Sequence, residues 1–492
     1  MNTENAGKPP HRPSLLQNWI SLTGLVVVIG GLFSFFMLLM LDAVAHFSNP
    51  YISILTWMVT PAFLVFGFIL TLIGVLRTRH KRVGSASMVS AVQIDLSRPR
   101  DRRILVAFVI GSLLFIMLAA VGSYNSFNFT ESVQFCGETC HGVMKPELTT
   151  HDHGPHARVA CAACHVGPGV NWFVRSKLSG SYQVYSVLFN KYPRPITTPI
   201  KNLRPARETC EECHWPQKFS GNLDRTYNYF QNDASNSPYS IRLSIKIGGA
   251  DPSSGPVGGS GIHWHMMVGN QVEYIATDAA RQKIPWVRIT DSQGVVTVYH
   301  TPKFTNDISK MEIRKMDCMD CHNRPSHRYV SPDKAVNLAM ELDQIDRTIP
   351  WIKTNAVYVL TRSFKTDEEA RDGIATLLTQ RYPSDPRIRQ VIPVVQQIYR
   401  DNFFPQMKAN WSVYPDNIGH MIWPGCFRCH DGNHKTEDGQ RTIKANDCNA
   451  CHTILAQGSG AELQQMTPGG QPFKHTGGDY DLSCSDCHTG GP

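Results

Sequence analysis

Fourteen cysteines and twenty histidines carry the recognisable chemistry of this 492-residue chain. Six stretches read C-x-x-C-H: Cys161–Cys164–His165, Cys210–Cys213–His214, Cys318–Cys321–His322, Cys426–Cys429–His430, Cys448–Cys451–His452 and Cys484–Cys487–His488. From the Cys and His frequencies, chance would give roughly 0.02 such motifs. A seventh, Cys136–Cys140–His141, has one extra residue between its cysteines, and no cysteine is left over. Two thiols on a short turn can form thioethers to the haem vinyl groups, with the next His beneath the iron as proximal ligand. Structural zinc could use the C-x-x-C pairs, but would not require a His directly after each one. Disulfides suit an exported protein, yet redox C-x-x-C loops come singly. The spacing therefore predicts seven covalently attached haems c, the longer loop of the first motif still reaching both vinyls.

The elements that must position these motifs begin with a membrane anchor. Trp19–Leu41 is uncharged, Ala43–Leu76 carries no charge beyond His46, and Ile104–Thr130 is again uncharged. About 20 apolar residues span a bilayer, and no helix-period polar face interrupts these runs, so three transmembrane helices are expected. The first run is too long for a secretory h-region and lacks a small-residue cleavage site, which predicts an uncleaved anchor. Arg77, Arg79, Lys81, Arg82, Arg98, Arg100, Arg102 and Arg103 lie between the second and third runs, whereas the loop near Asn49 has no Lys or Arg. Positive charge stays inside. The N-terminus and the 77–103 loop are thus expected in the cytoplasm. Everything after about residue 123 is expected in the periplasm of a bacterial inner membrane, where haem c is attached.

The net charge of +8 is misleading. Residues 1–122 hold 10 Lys/Arg against 4 Asp/Glu, which leaves 38 against 36 for the remainder. Two propionates per haem would tip that part acidic, so nucleic acid is not an expected partner.

Cys210 to Cys318 and Cys318 to Cys426 are both 108-residue intervals, but their contents differ in kind and argue against a repeat. The first alternates at Ile241–Gly248, Val272–Ala276 and Val295–His300 around a Gly/Ser/Pro-rich turn, which reads as short strands. In the second, Ser331-Pro-Asp-Lys opens a helix to about Leu342 and Thr366-Asp-Glu-Glu opens another. The expected order is a cytoplasmic tail 1–18, a three-helix anchor 19–122, a haem segment 123–225 and a β-rich insert 226–312. The fourth motif in 313–330, a helical insert 331–405 and a Gly-rich, poorly regular haem segment 406–492 follow. The fold class is a membrane-anchored multihaem cytochrome c with a mostly irregular and α-helical periplasmic haem domain.

Ten histidines outside the motifs lie beyond the anchor and could serve as sixth ligands: His151, His153, His156, His263, His265, His300, His327, His420, His434 and His475. His156, His265, His327, His420 and His475 are favoured, with His263 and His300 next. In Ile262-His263-Trp264-His265, strand alternation would set both histidines on one face. Met144, three residues after His141, is a further candidate, and a Met ligand would raise the haem potential. No Lys replaces a motif His, which argues against a periplasmic reductase with an open haem site.

Phe135–Gly169 reads FCGETCHGVMKPELTTHDHGPHARVACAACHVGPG. It resembles the N-terminal haem segment of the NapC/NirT family of membrane-bound quinol dehydrogenases: a transmembrane helix, a first motif trailed by a Met, and a His before a second motif with a Val/Pro tail. The matching positions are Met144, His156 and Cys161–Val166, and the resemblance covers roughly residues 104–220. The three-helix anchor, seven motifs and long inserts resemble more closely the heptahaem inner-membrane cytochromes of metal-reducing bacteria. The resemblance implies oxidation of menaquinol or ubiquinol from the membrane quinone pool and electron delivery to periplasmic c-type cytochromes or reductases in anaerobic respiration. It also implies a quinol-site Lys after the second motif, which is Lys177 here. The family's acidic partner is missing, since Trp172–Tyr185 contains no Asp or Glu; Glu147 or Asp152 could substitute. The rival expectation is a relay subunit of a membrane redox complex without its own quinol site.

Overall fold

The computed structural model describes residues 18–45, 56, 59–83, 96–139, 141–167, 170–200, 204–215, 219, 221–248, 261–266, 269–444 and 448–475. Two compact units divide the chain, Met1–Thr139 and Cys140–Pro492.

In the first unit, helix α1 spans Trp19–Ala45, α2 Thr60–Val83 and α3 Pro99–Thr130. Trp19–Met40 and Thr60–Thr78 are long and apolar enough to cross a membrane. Small residues bring α1 and α2 together: a Cβ on Gly24 would stand 2.5 Å from Thr71 N, and one on Gly74 2.6 Å from Ser21 N. Across this seam Asn18 Nδ2 donates to Thr78 Oγ1 at 2.9 Å and to the Gly74 carbonyl at 3.2 Å. Close backbone approach plus hydrogen-bonding side chains is how helices associate where water cannot drive them together. Val26, Phe33, Phe63, Phe66 and Phe68 stay exposed on the outside of the pair, as lipid-facing residues do. Helix α2 continues through Arg77, Arg79, Lys81 and Arg82, and α3 begins at Pro99, so the expected 77–103 loop is helical at both of its ends. Helix α3 runs past Gly122 to Thr130, and a π-helical turn, Gln134–Thr139, then carries Cys136.

In the second unit the aliphatic core lies in the helical insert. After helices α4 (His141–Asp152), α5 (Cys161–His165), α6 (Val170–Leu188), α7 (Ala206–Cys210) and α8 (Cys318–Cys321) come α9 (Pro332–Glu341), α10 (Ile352–Leu360), α11 (Asp367–Arg381) and α12 (Ile388–Asn402). Ser331 caps α9 by accepting from Lys334 N, and Thr366 caps α11 by accepting from Glu369 N, as the sequence signals predict. Val336, Met340, Ile352, Leu360, Ile374 and Val395 are fully or almost fully buried where these helices meet. Each such side chain contributes about 1.5–3 kcal/mol, so this insert is stabilised by ordinary apolar packing.

Strands β1 (Asn222–Phe230) and β2 (Pro238–Lys246) form a hairpin. Strands β3 (Gln271–Ile275), β4 (Trp286–Thr290), β5 (Val296–His300) and β6 (Arg314–Lys315) form a second, antiparallel sheet in the order β5-β4-β3-β6. The hairpin is tied to the helical core: Phe230 N donates to Asn337 Oδ1 at 3.1 Å, and buried Lys353 reaches both the Phe230 carbonyl and Asp333. Two expectations change here. The 406–492 segment is not uniformly irregular, because His452–Gly458 is a seven-residue strand that pairs with β2. The β-rich insert thus shares a sheet with a haem segment through a long-range pairing that strand periodicity does not reveal. The second change is at Ile262–Met266, a 3-10 turn and not an alternating strand. Gly261, at φ +105, folds the chain back so closely that a Cβ would lie 2.6 Å from the Lys246 carbonyl oxygen.

Candidate haem centres

Each of the five motifs that lie wholly among the described residues is built on about one helical turn. His214 N donates to the Cys210 carbonyl at 2.8 Å, His322 N to Cys318 at 2.8 Å and His430 N to Cys426 at 3.0 Å. Residues three and four apart on such a turn share a face, so two thiols and an imidazole address the same side. Cys164, Cys210, Cys213, Cys318, Cys321, Cys426 and Cys429 are all thiols outside any disulfide. Among the described residues no cluster of three or more His, Cys, Asp or Glu side chains is arranged to hold a metal ion. Zinc would need such a cluster. A porphyrin supplies four donors of its own and asks the protein for only two.

Those two are present at five motifs. The ring centroids of His165 and His327 are 6.2 Å apart, those of His214 and His156 6.1 Å, and those of His322 and His263 6.4 Å. His430 and His265 are 6.0 Å apart, and His452 and His420 6.2 Å. Two imidazole nitrogens, each about 2 Å from one metal ion, put their ring centroids about 6 Å apart, so an iron fits between each pair. The second ring nitrogen is anchored in four of the non-motif partners. His327 Nδ1 meets the Glu147 carbonyl at 2.9 Å, His156 Nδ1 that of Pro325 at 3.2 Å, His263 Nδ1 that of Ile247 at 2.8 Å, and His265 Nδ1 that of Ile262 at 2.9 Å. Metal-binding histidines donate their other N–H in this way, which fixes the tautomer. Burial pushes the pKa of His165, His265, His322, His327 and His452 down, and that of His430 to about 4. Neutral imidazole is the form that binds a metal.

Four of the motifs lie near one another in chain order: Cys164 is close enough to Cys213 for their charges to interact, Cys210 hydrogen-bonds Cys318, and Cys321 is close enough to Cys426 for theirs to interact. Between the last two, buried Asp320 accepts from Tyr274 OH at 2.5 Å, Arg281 at 3.1 Å and Asp317 N at 2.8 Å. Its own carbonyl accepts from Asn417 Nδ2 at 3.0 Å and from Arg428 at 2.5 Å. Burial raises the Tyr274 phenol pKa, so the phenol stays a donor to that carboxylate.

Several sequence candidates find other surroundings. His300 ends β5, pairs with Lys435 and turns Nδ1 to the Thr301 carbonyl at 3.2 Å; among the described residues it has no ring contact with a motif histidine. His475 packs edge-on against Phe473 at 5.8 Å, while Cys484, Cys487 and His488 lie outside the described residues. Cys140 and the His141 side chain are also outside them. Met144 follows on α4, and a residue three positions along a helix shares its face, so Met144 is placed to replace a ligand from position 141, not to oppose it. His263 and His265 do not line one surface, because the 3-10 turn sends them to different motif histidines. His151 comes within 6.3 Å of His327, but its Nε2 meets the Val159 carbonyl at 2.9 Å and its Nδ1 meets Asp152 at 3.2 Å. His434 is likewise a structural residue, held by Asp431 at 2.8 Å and by the Ile284 carbonyl at 2.6 Å.

Sequence reasoning missed the setting of His327. Arg324 lies over the Tyr414 ring at 4.3 Å and the Tyr329 ring at 4.9 Å, and pairs with Glu147 at 3.2 Å. The same carboxylate stands 3.3 Å from His327 Nδ1. Only the fold brings Glu147 to a segment 177 residues away, so no local signal marks it. Glu147 is thus engaged in an ion pair beside His327 and is not a free carboxylate. Asp152 bonds His151, and Lys177 sits half-buried on α6, two residues after Arg175, which covers the Trp172 ring at 5.1 Å.

Residues 98–199 match the N-terminal region of the NapC/NirT cytochrome c family. The chain is 41% identical over 497 residues to the cytochrome c-type protein ImcH of Geobacter sulfurreducens, covering 96% of this chain and 95% of that protein. No solved structure matches. With its apolar N-terminal helices and its haem-attachment motifs, the chain belongs to the NapC/NirT cytochrome c family of membrane-anchored electron-transfer proteins.

Proposed function

We propose that the chain is a heptahaem quinol dehydrogenase, which takes electrons from menaquinol or ubiquinol at the periplasmic face of the inner membrane and delivers them to periplasmic c-type cytochromes or reductases. The observation that carries this reading is the set of five histidine pairs at one-iron spacing, four of them on motifs that lie near one another in chain order. In it His165, His214, His322, His430 and His452 are proximal ligands, and His327, His156, His263, His265 and His420 are their respective distal partners. His141, or Met144 in its place, supplies the proximal ligand of the first haem and His488 that of the last, with His475 the distal candidate nearest to His488 in sequence. Each haem c, when bound, supplies a one-electron centre.

The third helix, α3, completes the anchor, with the N-terminus cytoplasmic and the haem domain periplasmic, in keeping with the arginine-rich 77–103 segment. Electrons enter at Cys136–Cys140, since Cys136 follows α3 within six residues of Thr130. Lys177 binds the quinol oxygen and stabilises the negative charge that develops as its proton leaves for the periplasm. Purified protein mixed with menaquinol in a stopped-flow spectrometer should become reduced without any partner. The second reading, a relay subunit, draws on the lack of a carboxylate in Trp172–Tyr185 and on the engagement of Glu147 by Arg324. Full reduction by dithionite with none by menaquinol would establish that reading and overturn the quinol site.

A further inference from the structure

Helix α6 presents to solvent a face that belongs against something apolar. Leu178 is 68% exposed, Tyr182 67%, Tyr185 42% and Phe189 62%. These residues stand at i, i+4, i+7 and i+11, within about a sixth of the helix circumference. The helical bonding continues past Leu188, since Phe189 N donates to the Tyr185 carbonyl at 3.1 Å. Leu188, 67% exposed, widens the stripe at its C-terminal end. The rings form a ladder, with Tyr182 and Tyr185 centroids 6.2 Å apart and Tyr185 and Phe189 4.8 Å apart. Single exposed apolar residues are ordinary, but a contiguous stripe marks an interaction surface.

The charges around the stripe indicate what covers it. Between Asp152 and Glu208 the chain has no Asp or Glu and carries eight Lys/Arg. Arg204 and Arg207 are consumed by Glu208, Glu212 and Glu211. Arg175 and Lys177 flank the beginning of the stripe and Lys191 and Arg194 its end. Lys191 lies over the Tyr185 ring at 5.1 Å and donates to its hydroxyl at 2.8 Å, and Arg194 lies over Tyr192 at 4.7 Å. Tyrosine and leucine facing out, with bases on the flanks and carboxylates absent, is the composition of a helix lying in a membrane interface. Tyrosine rings rest at headgroup depth there, and the basic side chains reach the lipid phosphates.

We propose that α6 is an interfacial helix that docks on the anionic phospholipid surface of the bilayer holding the anchor. The Leu178–Tyr182–Tyr185–Phe189 stripe enters the headgroup region, and Arg175, Lys191 and Arg194 contact phosphate. The proposal rests on membrane anchoring and not on quinol chemistry, so it stands or falls separately from the function proposed above.

A photo-cross-linking amino acid tests it in the full, haem-loaded chain. Tyr182→p-benzoylphenylalanine and Leu178→p-benzoylphenylalanine variants with unchanged haem spectra would be irradiated in nanodiscs of phosphatidylglycerol and phosphatidylethanolamine. Peptide mass spectrometry should find phospholipid adducts at both positions, at least fivefold above those at a Tyr358→p-benzoylphenylalanine control on the helical core. Adduct yields equal to the control, or cross-links to a second copy of the chain in place of lipid, would overturn the proposal.

Discussion

Replacing His263 and His265 separately with Ala should remove the sixth ligand from two different haems, although the two residues are neighbours but one in sequence. Their rings face His322 at 6.4 Å and His430 at 6.0 Å, so with the seven haems proposed above each loss should open one iron. Each single variant should convert one haem in seven from low to high spin, and the double variant two. Electron paramagnetic resonance also identifies which haem is lost. The His263 and His322 planes are 6° apart, whereas those of His265 and His430 are 80° apart. Near-parallel imidazoles split the iron d orbitals strongly and give a rhombic low-spin signal; near-perpendicular ones leave them almost degenerate and give a large-g signal. His263→Ala should therefore reduce the rhombic component and His265→Ala the large-g component. Met in place of either residue should raise the potential of its haem by about 0.1 V, within the roughly 0.8 V that axial ligation spans. At about 59 mV per tenfold for one electron, that shifts the equilibrium electron occupancy of the haem about fiftyfold. A double variant that loses no more low-spin signal than either single would refute the assignment to separate irons.

Three further outcomes are expected. A pyridine haemochrome assay should return seven haems per chain, whereas six would reject Cys136–Cys140 as an attachment site. Lys177→Leu should slow reduction by menaquinol about tenfold or more while dithionite still reduces every haem; unchanged quinol kinetics in the loaded variant would remove Lys177 from the site. Asp320→Ala should cost about 3 kcal/mol, because it leaves Arg281 and the fully buried Tyr274 hydroxyl without their carboxylate. A thermal midpoint within a degree of the parent, with haem content matched, would contradict that account.

Much of this protein was legible before any coordinates, and the reason is chemical locality. Haem attachment needs two thiols and an imidazole on one turn, so Cys161 to His165 announce it within five residues. Bilayer thickness likewise demands long apolar runs, which α1 and α2 supply. Helix starts at Ser331 and Thr366 were readable because a cap is satisfied three residues away. Distal ligation has no such locality. An iron needs a second imidazole on its far side, and the chain can bring it from anywhere: His327 reaches back to His165, and His156 forward to His214. Composition could assemble the pool of histidines but not match its members to motifs, nor separate buried His434, whose two nitrogens are both spoken for, from the ligands. The alternation expected at Ile262–His265 failed because Gly261 folds the chain onto the end of β2, and that tertiary contact imposes a tight turn. Glu147, Arg324 and Asp320 became visible only once distant segments were packed together, because a buried charge is defined by the partners the fold gives it.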